Sequence, residues 1–220
     1  MPPYPRGEPV NARGWAQRER HDLCDLLDEA GPDAPTLCEG WTAAHLAAHL
    51  VLRERRPDVG LGLVLPGPFA RHTARATDRL ARRGDFTALV DRVRRGPPFH
   101  LRPVDGAMNL VEFVVHHEDV RRVGDGWSPR EGLGPLDDLL WGRLAKGARL
   151  MCRRLHDVDL TLARPDGAMV HACRGNRPAT LTGTPVELVH FLYGRRERAD
   201  VELAGDEGAV HEVRTGRLGI

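Results

Sequence analysis

Between Met108 and Asp119 the chain reads Met-Asn-Leu-Val-Glu-Phe-Val-Val-His-His-Glu-Asp, apolar at most helical positions and yet carrying Glu112 and His116 four residues apart. Residues at i and i+4 share one face of a helix, and Asp119 continues that face. Met108, Leu110, Val111, Phe113, Val114 and Val115 occupy most of the remaining circumference, so this helix is expected to be covered on several sides. A carboxylate carried into such surroundings needs a partner, because an unpaired buried charge is costly. The segment therefore asks for a fold in which other elements surround it and answer its charges.

The flanking sequence supplies those elements as helices. Trp15, Leu23, Leu26 and Leu27 make a stripe near the helical period from Asn11 to Ala30, stopped by Gly31-Pro32. Thr42 is an N-cap for a second helix through Leu46, Leu50 and Val51 up to Pro57, and Gly60 to Pro68 reads as a loop. Further helices are expected over Ala70 to Arg83, Phe86 to Arg95, Gly106 to Val123 and Leu136 to Leu155. After His156 the period changes. Val158 to Ala163, Ala168 to Cys173, Pro178 to Leu181 and Ala199 to Leu203 read as strands, and Thr184-Pro-Val-Glu187 as a capping box opening a helix that closes at Gly194. The expected fold is mainly α: a helical bundle over 1–155, with a small α+β unit over 156–220 that is too small to stand comfortably alone.

Charge excludes some functions. Lys and Arg total 32 against 31 Asp and Glu, so no global field draws the chain to nucleic acid or an anionic membrane. No apolar run approaches the roughly 20 residues of a membrane span, and Met1 to Arg6 is proline-rich without a signal-peptide core. Cys24, Cys38, Cys152 and Cys173 are scattered without a C-x-x-C pair and read as thiols in a reducing compartment. A cytoplasmic monomer or homodimer is the expectation.

The second helix offers His45 and His49, also four apart. One imidazole from it, with Glu112 and His116, gives three N and O ligands and an open fourth position, the pattern of catalytic rather than structural zinc. With Thr42 as N-cap, His45 falls at the third helical position, where it helps close the first turn, and His49 one turn deeper is the preferred ligand. Spacing alone leaves a bland reading level with this one: Asn109-Leu-Val-Glu112 also fits a capping box, and His-x-x-x-His pairs arise by chance. Asp119 is expected to pair with Arg121 or Arg122, and His117 to serve packing or hydrogen bonding.

The stretch from Gly31 through Cys38-Glu-Gly-Trp-Thr-Ala-Ala-His-Leu-Ala-Ala-His-Leu50, then Glu112-Phe-Val-Val-His-His-Glu-Asp-Val-Arg-Arg122, and finally Leu181-Thr-Gly-Thr-Pro-Val-Glu-Leu188 with Tyr193-Gly-Arg195, resembles the actinobacterial DinB-like proteins related to mycothiol-dependent maleylpyruvate isomerase. The resemblance implies a DinB-like four-helix bundle and a divalent metal, most readily zinc, on His49, Glu112 and His116. It also implies mycothiol as a thiol cofactor activated by that metal, and a catalytic arginine in the C-terminal unit, for which Arg195 is the local candidate. One departure is visible: relatives commonly carry an acidic residue where this chain has His45, and a fourth imidazole at the metal would close the open position.

Two functions follow from the resemblance. One is a mycothiol-dependent transferase or isomerase that joins a small-molecule thiol to an electrophilic substrate. The other is a metal-binding protein without chemistry, of sensing or storage type.

Overall fold

The structure, a computed structural model, describes residues 11–56, 67–99 and 105–219. Six helices come first: α1 (Ala12–Ala30), α2 (Ala43–Arg55), α3 (Pro68–Arg83), α4 (Phe86–Arg94), α5 (Asp105–Arg121) and α6 (Gly134–Met151). They are followed by β1 (Val158–Ala163), β2 (Met169–Cys173), β3 (Arg177–Thr182), α7 (Pro185–Leu192), β4 (Glu202–Gly205) and α8 (Glu207–Thr215). The expected loop from Gly60 lies outside the described residues except for Gly67 and Pro68. No described helix is long and apolar enough to cross a membrane.

Local chemistry sets the helix ends. Asn11 caps α1 by accepting from Gly14 N at 2.9 Å, Asp85 caps α4 and Asp206 caps α8. At α2 the N-cap Thr42 and His45 bond reciprocally in a capping box, so His45 does the work that glutamate or glutamine usually does.

α5 packs chiefly on α1, while α2 lies against α3 and α4. Leu110 and Val114 of α5 join Trp15, Leu136, Leu140 and Leu144 in one apolar cluster, and Phe113 joins Leu23, Leu27, Leu46, Leu50, Leu89 and Val93 in another. The all-round hydrophobicity of α5 thus has its reason: like α1, on which it packs, it contributes to both clusters. The first cluster runs on through Val158, Leu160, Leu162, Leu181, Leu188 and Leu192, so bundle and C-terminal unit are packed over one continuous core.

The sheet has the order β2-β1-β3-β4, with β1 and β3 parallel and both outer pairs antiparallel. The β1–β2 hairpin expected at Pro165-Asp-Gly167 is present. Three details differ from the sequence reading. The last strand begins at Glu202 rather than Ala199, because the chain first makes a 3-10 turn at Arg196–Arg198. α8 was not anticipated, since its buried face is only Ala209 and Val213. And the Thr184 box does not form: Glu187 turns instead to Arg122, which donates to its two carboxylate oxygens at 2.6 Å each, and to the Asp200 amide.

Arg122 is fully buried, stacks over Trp127 at 4.5 Å, and also donates to Glu118 and to the Arg198 carbonyl. Glu118 in turn meets Arg121 and Arg130. Burial alone would raise the Glu118 pKa, but the surrounding guanidiniums, Arg130 foremost, bring it down to about 2. Removing one partner of such a buried pair leaves an uncompensated charge. Arg122→Met should therefore cost about 3–5 kcal/mol by denaturant titration, whereas Arg94→Ala, which breaks pairs to the exposed Asp25 and Asp28, should cost less than about 1 kcal/mol. Because the folded pKa of Glu118 is depressed, its contribution is complete above the unfolded value of about 4.3 and is lost as pH falls toward 2. Stability that stays flat from about pH 5 down to about pH 2 would contradict this account.

Candidate metal centre

The α1–α2 connection folds back on α5 before α2 begins. Leu37 N donates to the Asp119 carbonyl at 2.9 Å, Pro35 and Thr42 form an isolated bridge, and Thr36 Oγ1 donates to the Trp41 carbonyl. This closes a small loop that sets Trp41 against His49, ring centroids 5.1 Å apart, and places Cys38 beside Asp119.

His49 of α2 and Glu112 and His116 of α5 come together as the sequence predicted. His49 Nε2 lies 2.9 Å and His116 Nε2 3.3 Å from the same oxygen, Glu112 Oε1. Their ligand atoms all fall within 4.8 Å of one another, and both imidazoles are buried. Glu112 is not a helix-start residue, because α5 begins at Asp105; Asn109 sits inside the helix and donates to Glu54. Arg53 Nε also lies 3.2 Å from Glu112 Oε1.

Behind His116 lies a second layer. Its Nδ1 is 2.8 Å from Asp119 Oδ2, and Arg195 closes on the same carboxylate with two parallel bonds of 2.7 Å, Nε to Oδ1 and Nη2 to Oδ2. Cys38 Sγ donates to Asp119 Oδ2 at 3.1 Å and accepts from Arg195 Nη2 at 3.2 Å. Asp119 therefore pairs with Arg195, whereas Arg121 and Arg122, its expected partners, go to Glu118. Holding Nδ1 of a histidine on a carboxylate fixes the tautomer and aims Nε2, the usual arrangement behind a metal-bound histidine.

His45 does not join the group. Its Nδ1 faces Thr42 and its Nε2 lies 3.6 Å from Asp78 on α3. His117 points the other way, to Glu19 at 2.7 Å. Two further sets bring three ligand atoms together among the described residues, Cys38 with His116 and Asp119, and Glu19 with Asp22 and His117. Each already holds a guanidinium on its carboxylate through two bonds, Arg195 on Asp119 and Arg130 on Glu19. In the His49 set the guanidinium at hand is Arg53, on Glu112 Oε1. The donor chemistry of this set, two imidazole nitrogens and a carboxylate oxygen, fits a divalent ion such as zinc.

The protonation states are set by burial and by these partners. Burial pushes the His49 pKa down, so its imidazole is neutral. Burial would do the same to His116, but Asp119, Cys38 and Glu112 raise it well above the usual histidine value. Burial also works against the Glu112 carboxylate, yet His116 and His49 hold its pKa well below the normal range.

Sequence reading missed Cys38, Trp41 and Arg53 as neighbours of the site. The only signal for the first two was their place in Cys-Glu-Gly-Trp directly before the helix that carries His49.

The architecture is a DinB-like helical bundle joined to a small α+β unit. Residues 15–99 match the sequence model of the family described as the mycothiol maleylpyruvate isomerase N-terminal domain. The crystal structure of the mycothiol-dependent maleylpyruvate isomerase superposes with a TM-score of 0.57 at 17% identity, covering 93% of this chain and 96% of that one. A histidine-to-alanine mutant of that isomerase gives 0.56 at 15% identity, covering 92% and 96%. No curated protein matches the sequence. The chain shares the fold of the mycothiol-dependent maleylpyruvate isomerase, and its residues 15–99 match the N-terminal domain model of that family. The matched segment contains His49 and ends before α5.

Two outcomes follow from the geometry. With His116 protonated and Nδ1 kept by Asp119, metal uptake at neutral pH should release about one proton from Nε2, read as the buffer-ionisation dependence of the calorimetric enthalpy. Asp119→Asn should weaken metal affinity about 10–100-fold in chelator competition, through the misaligned His116; an unchanged affinity would remove Asp119 from the site.

Proposed function

We propose that the protein holds one divalent metal ion, zinc as first choice, on His49, Glu112 and His116, and that it is a mycothiol-dependent transferase or isomerase. The observation that carries this reading is the convergence of two imidazole Nε2 atoms on one Glu112 oxygen, with His116 oriented from behind by Asp119. The match of residues 15–99 to the mycothiol maleylpyruvate isomerase N-terminal domain supports the thiol as cofactor. A metal bound there would act as a Lewis acid, lowering the pKa of a coordinated thiol so that it is nucleophilic at neutral pH.

The chain's own residues have separable parts in this reading. His49 and His116 offer Nε2, and Glu112 supplies the one negative charge of the set. Trp41 packs on His49 and shields that side from water. His45, engaged with Thr42 and Asp78, leaves the fourth position open. Arg195, the catalytic candidate of the sequence, has its fork on Asp119. In this arrangement it is a positioning residue that acts on His116 through Asp119, and touching a substrate would require it to release one of those bonds.

The alternative, a metal-holding protein of sensing or storage type, would use the same three side chains without a thiol step. Cobalt-substituted protein titrated with mycothiol separates the two. Sulfur ligation should produce an intense charge-transfer band, together with metal-dependent consumption of a soft electrophile. A flat spectrum and no turnover would leave the metal-holding reading as the better one. Beneath both lies the metal set itself: His49→Ala, Glu112→Ala and His116→Ala should each abolish stoichiometric metal, and one retained ion per chain in the triple variant would end the assignment.

A further inference from the structure

His190 of α7 is 1% exposed, and neither of its ring nitrogens finds a hydrogen-bond partner among the described residues. A neutral imidazole carries one donor and one acceptor, and burying such groups unanswered is costly. An apolar side chain of similar size would fill the same place without that cost. His190 belongs neither to the metal set nor to the layer behind His116, so the candidate site gives it no part.

The charges around the ring are already engaged with one another. α7 packs on α5 and α6. From α5 the groups facing His190 are Glu118, Asp119 and Arg122, and Arg195 joins them from just past the end of α7. Glu187 lies one turn back on α7 itself, and α6 brings Asp137, which accepts from the Val186 amide at 3.2 Å. Glu118 is held by Arg121, Arg122 and Arg130, Asp119 by Arg195 and His116, and Glu187 by Arg122. An imidazolium formed at His190 would therefore have to break one of these pairs or leave the interior, and two guanidiniums would repel it where it stands.

Along the chain His190 sits between the two forks that tie α7 to α5. Glu187, one turn before it, takes Arg122; Arg195, after it, holds Asp119 and donates its amide to the His190 carbonyl at 3.2 Å. Burial pushes the His190 pKa down to about 4, Arg122 adding to the push and Asp119 and Glu118 opposing it. The unfolded chain takes up the same proton near pH 6.5, so the contribution of the closed, neutral arrangement is complete above about pH 6.5 and is lost as pH falls toward 4.

We propose that His190 is an acid-sensitive latch: a proton taken up there drives the end of α7 away from α5 and opens both forks, Arg122 on Glu187 and Arg195 on Asp119. What opening does to a metal on His116 rests on the function proposed above; the opening itself does not.

Hydrogen exchange of the full-length protein at pH 7 and pH 5, corrected for the intrinsic pH dependence of the chemistry, tests the latch. Protection of the α7 amides relative to those of α1 should fall about 20-fold between the two pH values. His190→Leu should fold at least as stably at pH 7 and should lose that pH dependence. Glu118 does not interfere, because its own loss lies below about pH 4.3. Equal α7 protection at both pH values in the unaltered protein, or a loss that persists in His190→Leu, overturns the latch. Nitrogen-15 shifts of the His190 ring in the unaltered protein give a second reading that needs no variant: the ring should stay neutral while α7 is closed. A protonated His190 with α7 still protected would overturn the proposal as well.

Discussion

Burial of ionisable groups along α5 is the constraint on which the other elements depend. From Asn109 to Arg122 nearly every polar side chain of this segment is shielded from water, and each is answered by a different part of the chain. Glu54 of α2 takes Asn109, His49 of α2 meets Glu112, and Glu19 of α1 meets His117. Arg130, beyond the end of α5, reaches Glu118, and Arg195 reaches Asp119. Charges so placed are tolerable only if the partners stay where they are, so the neighbours of α5 are fixed by electrostatics as well as by packing.

Of the guanidiniums that join the bundle to the C-terminal unit, two fork onto carboxylates in opposite directions. Arg122 leaves the end of α5 and forks onto Glu187 of α7; Arg195 leaves the end of α7 and forks onto Asp119 of α5. Paired bonds of this kind fix orientation more tightly than a single contact, and the shared apolar core lies alongside them. The unit that is too small to be comfortable alone thereby becomes part of the shell around His116. A site built mainly from two helices of the bundle depends in this way on residues far downstream.

The charge balance of His49, Glu112 and His116 gives the proposed metal set a chemical character of its own. Burial lowers the His49 pKa, while its partners raise that of His116 and hold that of Glu112 low, which favours a neutral His49 beside an imidazolium–carboxylate pair of His116 and Glu112. A divalent ion taken up there in exchange for one proton would add one positive charge in a buried space, with Asp119 and Arg195 already neutralising each other behind it.

The sequence by itself determined the helical bundle and the hairpin, because hydrophobic period, capping residues and i, i+4 spacing are local properties; that His49 meets Glu112 and His116 it left open from spacing alone and offered through the family resemblance. It also foretold His45 at the third position of α2. Tertiary structure alone decided the partners of Asp119 and Glu187. Arg121 and Arg122 stand closest to Asp119 along the chain, yet they turn to Glu118, and Arg195 arrives from 76 residues away. Glu187 fits a capping motif by spacing and gives it up for a buried guanidinium, since an N-cap bond is worth about 1 kcal/mol and an unanswered buried charge several. Cys38 and Trp41 reach the site only because their loop is pinned to the Asp119 carbonyl. Which charges meet is settled by three-dimensional proximity under low dielectric, and sequence spacing carries no record of that.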